Sequence, residues 1–140
     1  MLNKEVMFSS KSDEWTTPQY LYDALNEEFN FTLDVCATAS NHKMSNYYTQ
    51  SDSGLQKQWH GTCFMNPPYS EVKLWIKKAW EEMENGVTTV ALVPARTDTK
   101  WFHDYVYGQT EIRFIKGRLK FGDSKNSAPF PSMVVIFRGV

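Results

Sequence analysis

The sequence predicts an α/β fold with a mostly parallel sheet and an antiparallel edge strand. Short apolar runs at residues 31–37, 62–65 and 87–93 alternate with stretches whose apolar residues recur at helical spacing. That alternation implies parallel strands joined by right-handed crossovers. The last two apolar runs, 111–115 and 133–137, have no helix pattern between them, so they are expected to pair antiparallel at one edge.

Taken in order, residues 1–12 are polar and read as a flexible arm, leaving 13–140 as a single domain of ordinary size, since domains run roughly 100–200 residues. Trp15-Thr16-Thr17-Pro18 reads as a helix entry, with Thr17 as cap and Leu21, Leu25 and Phe29 on one face. The strand at 31–37 carries one carboxylate, Asp34. Residues 38–61 are mostly polar and turn-like, with a short strand at 46–49. The run through Phe64 delivers Asn66, and Ser70 can cap the helix that follows. Val72, Trp75, Ile76, Ala79, Trp80 and Met83 form its apolar stripe, and Asn85-Gly86 closes it. The run 87–93, ending at Pro94, has the pattern of a strand buried on both faces. Another helix is expected from Thr97 or Asp98, with Trp101, Phe102, Tyr105 and Val106 on one side.

Composition narrows the function. A net charge of −1 argues against a generic nucleic-acid glue, but the charge is uneven. Residues 1–70 carry net −4 and residues 71–140 net +3. Five basic residues lie between Glu111 and Lys125 (Arg113, Lys116, Arg118, Lys120, Lys125). They suit phosphates, or equally a strand edge guarded by lysine. Cys36 and Cys63 stand far apart with no histidine at metal-ligand spacing, so no metal site is expected, and lone cysteines fit a reducing cytoplasm. No signal peptide or membrane span is expected, because no stretch approaches ~18 apolar residues.

The densest chemical signal is Asn66-Pro67-Pro68-Tyr69, at the end of a strand. Two prolines keep the backbone extended and remove two N–H donors, so the local backbone mainly accepts. A planar –NH2 group can donate to the Asn66 oxygen and to a neighbouring carbonyl, while Tyr69 offers a ring face for stacking. In an open α/β sheet ligands bind beyond the carboxyl ends of the strands, so Asn66, Asp34 and residues 94–97 are expected around one crevice. The plainer reading is a Pro-Pro turn. The apolar strand and amphipathic helix on its flanks favour a catalytic loop.

With Ser70 added, this loop resembles that of S-adenosylmethionine-dependent amino-methyltransferases. Four further blocks narrow the resemblance to the small phage-type DNA N6-adenine methyltransferases: Glu14-Trp15-Thr16-Thr17-Pro18, Leu33-Asp34-Val35-Cys36-Ala37, residues 92–99, and residues 115–121 around Gly117-Arg118. The resemblance spans about residues 13–138 in the family's order. It implies a Rossmann-like methyltransferase fold, S-adenosylmethionine as cofactor, DNA as partner, and the cytoplasm of a phage's or prophage's host as location. By resemblance, Asn66 and the Pro67 carbonyl accept from adenine N6, Pro68 shapes the loop, and Tyr69 stacks on a flipped base. Trp15, Thr16, Thr17, Asp34 and Asp52 are implied at the cofactor, with Asp34 toward its methionine moiety. Ser70, Lys116, Arg118 and Lys120 are implied at DNA. The chain departs from many methyltransferases in having no glycine in Cys36-Ala37-Thr38-Ala39-Ser40 after the first strand.

Rival readings are an N-methyltransferase acting on a protein glutamine or an RNA base, and a DNA-binding module without catalysis. No insertion is long enough for a separate recognition domain. Target reading then falls to short loops or to a homo-oligomer partner, or is weak.

Overall fold

A computed structural model describes residues 15–37, 42–49, 54–122 and 125–140. The arm expected over 1–12, the candidate Asp52 and most of the stretch after the first strand lie outside the described residues. The strands are β1 (Leu33–Ala37), β2 (Tyr47–Thr49), β3 (Thr62–Met65), β4 (Thr88–Pro94), β5 (Glu111–Phe114) and β6 (Ser132–Phe137). They form one sheet in the order β2-β1-β3-β4-β6-β5. The pairs β2–β1, β1–β3 and β3–β4 are parallel. Strand β6 runs antiparallel to both β4 and β5. The final two strands thus pair antiparallel at the edge, as expected. Because β6 slots between β4 and β5, the outermost strand β5 points the same way as β4.

Helices α1 (Gln19–Phe29) and α2 (Val72–Glu84) are embedded in different apolar clusters. Side-chain alternation along the strands separates the two. Val35, Met65, Ala91, Val93, Val135 and Phe137 pack with Trp75, Ile76 and Ala79 of α2. Phe64, Val90, Leu92, Val134 and Ile136 pack with Tyr22 and Leu25 of α1. Every residue of β6 is buried, which explains its continuous apolar character. No helix among the described residues is long and apolar enough to cross a membrane.

Local details correct several expectations. Neither Thr17 nor Ser70 caps a helix: α1 starts behind Pro18 and α2 behind Glu71, both without a side-chain cap bond. Ser70 lies within a tight turn, Tyr69–Glu71, closed by the Glu71 N–H on the Pro68 carbonyl at 3.0 Å. On α1 the fully buried pair is Tyr22 and Leu25, with Leu21 and Phe29 half-buried beside them. Asn30 ends that helix in the left-handed region (φ 55°), as asparagine tolerates. The helix expected after Thr97 is wound wide over Phe102–Val106, where the Tyr107 N–H reaches the Phe102 carbonyl at 2.8 Å. The wider turn still buries Trp101, Phe102 and Val106.

Candidate active site

Residue Asn66 follows directly on β3, two residues past Phe64, so its side chain projects to the α1 face of the sheet. There its amide nitrogen Nδ2 donates to the Trp15 carbonyl and, at 2.8 Å, to Thr17 Oγ1. A carbonyl only accepts, so this contact fixes which end of the carboxamide faces Trp15. The other end, Oδ1, is buried and has no partner among the described residues. An acceptor left in that state costs about 1–3 kcal/mol, and a ligand that donates to it would recover that cost.

Four rings close around the next part of the loop. Trp15 and Tyr69 lie 18° from parallel with centres 6.4 Å apart. Phe130 meets Tyr69 edge-on at 5.4 Å, and Phe121 does so at 6.3 Å. Both phenylalanines also meet the Trp15 ring at 5.3 Å. The Tyr69 hydroxyl is buried in this cage without a partner, and burial pushes its pKa far above the ordinary phenol value. Tyr69 therefore stays neutral. Phe121 and Phe130 come from the connection between β5 and β6, which also ties Gly122 N–H to the Thr16 carbonyl at 2.8 Å.

In β1, Asp34 is the register partner of Phe64 on the neighbouring strand, so it shares the α1 face with Asn66. It is 3% exposed. Its two oxygens accept from the backbone N–H groups of Cys36 (3.4 Å) and Lys43 (3.2 Å). It forms no ion pair among the described residues. Burial raises its pKa to about 6, against the smaller pull of the two amides and of His42 and Lys43. It ties down its own turn and still lacks a neighbouring counter-charge in contact.

The basic patch divides. Arg113 forks onto Glu28, both bonds at 2.7 Å, and its Nε reaches Glu111, so it is already committed. Lys116, Arg118, Lys120 and Lys125 are exposed and form no ion pair among the described residues. They follow β5, whose carboxyl end lies on the same side of the sheet as Asn66. Arg96, within the 94–97 stretch expected at the crevice, is exposed beyond β4 and joins that rim. Phe121 and Phe130 were also missed as site residues. Their one sequence signal is position, since Phe121 precedes a glycine and Phe130 sits between two prolines. Among the described residues no three His, Cys, Asp or Glu side chains gather as a metal cage.

Comparison with known proteins addresses the same stretch. The family model described as DNA N-6-adenine-methyltransferase (Dam) matches residues 5–140. The chain is 32% identical to the DNA N-6-adenine-methyltransferase of Haemophilus phage HP1, over 98% of this chain and 85% of that protein. It is 31% identical to the protein of the same name from Escherichia phage T1, over 76% of this chain and 46% of that one. The match runs through the Trp15 segment, the Asn66 loop and the ring-bearing connection alike, and the chain belongs to the DNA N-6-adenine-methyltransferase (Dam) family.

Proposed function

We propose that this chain methylates the N6 amino group of adenine in DNA, with S-adenosylmethionine as the donor and Asn66 as the acceptor of the amino group. The observation that carries the reading is the buried, unpartnered Oδ1 of Asn66, held in place by the two bonds of its own Nδ2. An exocyclic amine supplies the donor that Oδ1 lacks, and the Pro67 carbonyl is the next acceptor along the chain. Two such bonds draw the nitrogen lone pair out of the ring's π-system and turn it outward as a nucleophile. Tyr69 offers its face to the purine, a contact worth about 1–3 kcal/mol where bases stack on aromatic side chains.

The fit to S-adenosylmethionine rests on Asp34. A buried carboxylate without a contacting cation suits the ammonium or sulfonium of that molecule. Trp15, Thr16 and Thr17 border the same space from the α1 side. When bound, S-adenosylmethionine would supply a methyl group already activated on a cationic sulfur and leave as S-adenosylhomocysteine, N6 losing one proton to solvent, so the chain's main task is placement. Lys116, Arg118 and Lys120, with Ser70 at the loop, would meet DNA phosphates along the rim. Since the matched relatives are phage-encoded, the host cytoplasm is the proposed place of action.

Incubation with methyl-labelled S-adenosylmethionine and DNA tests the reading. Wild type should label adenine N6. Asn66→Ala should lose about 10²–10³-fold in turnover, the usual effect of deleting a preorganised polar group at the reacting atom, while still binding cofactor. Label found only in protein or RNA, or an Asn66→Ala variant as active as wild type, would overturn it.

A further inference from the structure

We propose that Thr17 is a positioning residue for the catalytic amide: its hydroxyl, together with the Trp15 carbonyl, holds the Asn66 carboxamide so that Oδ1 and not Nδ2 meets the substrate amine. This goes beyond a place for Thr17 in the cofactor wall, and it rests on the reading of Asn66 given above. An asparagine amide has two donor protons on one end and an acceptor on the other. Turned by 180°, it would present N–H groups to an amine that itself donates, and methyl transfer would lose its anchor.

The Trp15 carbonyl opposes that turn, and the Thr17 hydroxyl, which can bond either end of the amide, anchors it in place. The Trp15 carbonyl accepts one Nδ2 proton and would face another acceptor if the amide flipped. Thr17 Oγ1 accepts the second proton at 2.8 Å from 49 residues away in sequence. Thr17 is 3% exposed, and its β-branched side chain has few rotamers open to it. Pro18 behind it keeps Thr17 extended. A threonine just before a helix ordinarily caps it, yet α1 has no side-chain cap, so this hydroxyl serves Asn66 instead. The strap carrying it is pinned from the far side by the Gly122 N–H on the Thr16 carbonyl and by the Trp15 ring against Phe121 and Phe130.

Two substitutions separate the hydroxyl from the shape. Thr17→Val keeps the volume and removes the acceptor; Thr17→Ser keeps the acceptor. Turnover and KM would be measured on an adenine-containing duplex, binding by calorimetry with S-adenosylhomocysteine, and the Asn66 side-chain 15N–1H pair by NMR on the ligand-free protein. That pair is identified by its loss in Asn66→Ala. Thr17→Val should lower turnover about tenfold with S-adenosylhomocysteine affinity held within about twofold, and should shift and broaden the Asn66 pair. Thr17→Ser should restore both. The proposal is overturned if Thr17→Val turns over as wild type does, or weakens S-adenosylhomocysteine alone. It is also overturned if Thr17→Ser is as impaired as Thr17→Val. A wild type that methylates no adenine would sink the functional reading itself, and the Asn66 NMR signal would still decide whether Thr17 holds the amide.

Discussion

Among the described residues the two faces of the sheet each bury one carboxylate, and they treat it differently. On the α2 face, Glu82 lies 4% exposed and pairs with Lys78 at 2.8 Å, one turn away on its own helix. The Lys78 ammonium also sits 5.7 Å from the centre of the Trp59 ring. On the α1 face, Asp34 has backbone amides but no ion pair among the described residues. A helix that has only to pack neutralises its charge locally. A face that has to receive a cationic ligand leaves a carboxylate waiting, and pays in desolvation. The α1 face also holds the unpartnered Asn66 oxygen and the ring cage, near the carboxyl end of β3.

Removing the local cation should make the α2 face resemble the other. Lys78→Met strands Glu82, and breaking a buried pair from one side costs about 3 kcal/mol. Urea unfolding should show that loss, with turnover per folded molecule unchanged. A loss below about 1 kcal/mol would mean that Glu82 is as self-sufficient as Asp34.

The second test uses pH on the α1 face. Asp34 titrates at about 6 rather than at 3.8, so the folded state holds its proton more tightly than the unfolded chain does. Its contribution to stability is therefore greatest below about pH 4 and is lost as pH rises through about 6, on the order of 2–3 kcal/mol in all. The stability difference between wild type and Asp34→Asn should change by that amount across the window and stay flat above it. A cationic ligand prefers the ionised form, so S-adenosylmethionine affinity should rise through the same pH range in wild type and not in the variant. A pH-independent difference between the two proteins would remove Asp34 from the waiting role.

Opening the ring cage is expected to have a smaller effect. Tyr69→Ala removes the stacking surface, so the apparent affinity for an adenine duplex should fall by about 1–3 kcal/mol, up to roughly a hundredfold. S-adenosylhomocysteine binding, measured by calorimetry, should hold. An unchanged KM for the duplex would mean that the ring only packs.

The centre of the sheet was legible because β3, β4 and β6 are largely apolar or β-branched runs, and the Asn66 loop because two prolines between an asparagine and a tyrosine are rare punctuation at a strand end. Less visible was anything that depends on which distant atom a polar group meets. Arg113 looks like one more phosphate ligand among its basic neighbours, yet it is bound to Glu28, 85 residues away. Thr17, placed just before Pro18, has the local signature of a helix cap and is used on Asn66 instead. Phe130 carries no periodic signal at all, because its place in the cage is set by how the connection from β5 folds back over the sheet.

The smallest effect compares orphaned oxygens across the sheet. Thr89 Oγ1 is buried on the α2 face without a partner among the described residues, on a strand whose register places it beside Cys63. Nothing in the proposed chemistry uses it. Replacing it by the isosteric Thr89→Val deletes an unsatisfied polar atom without opening a cavity, and should raise stability by about 1 kcal/mol in denaturant unfolding. Turnover and both affinities should stay as in wild type. The Asn66 oxygen is equally unpaired among the described residues, but removing it should slow transfer by about 10²–10³-fold. If Thr89→Val also slowed the reaction, an orphaned acceptor would no longer distinguish the face that works from the face that packs.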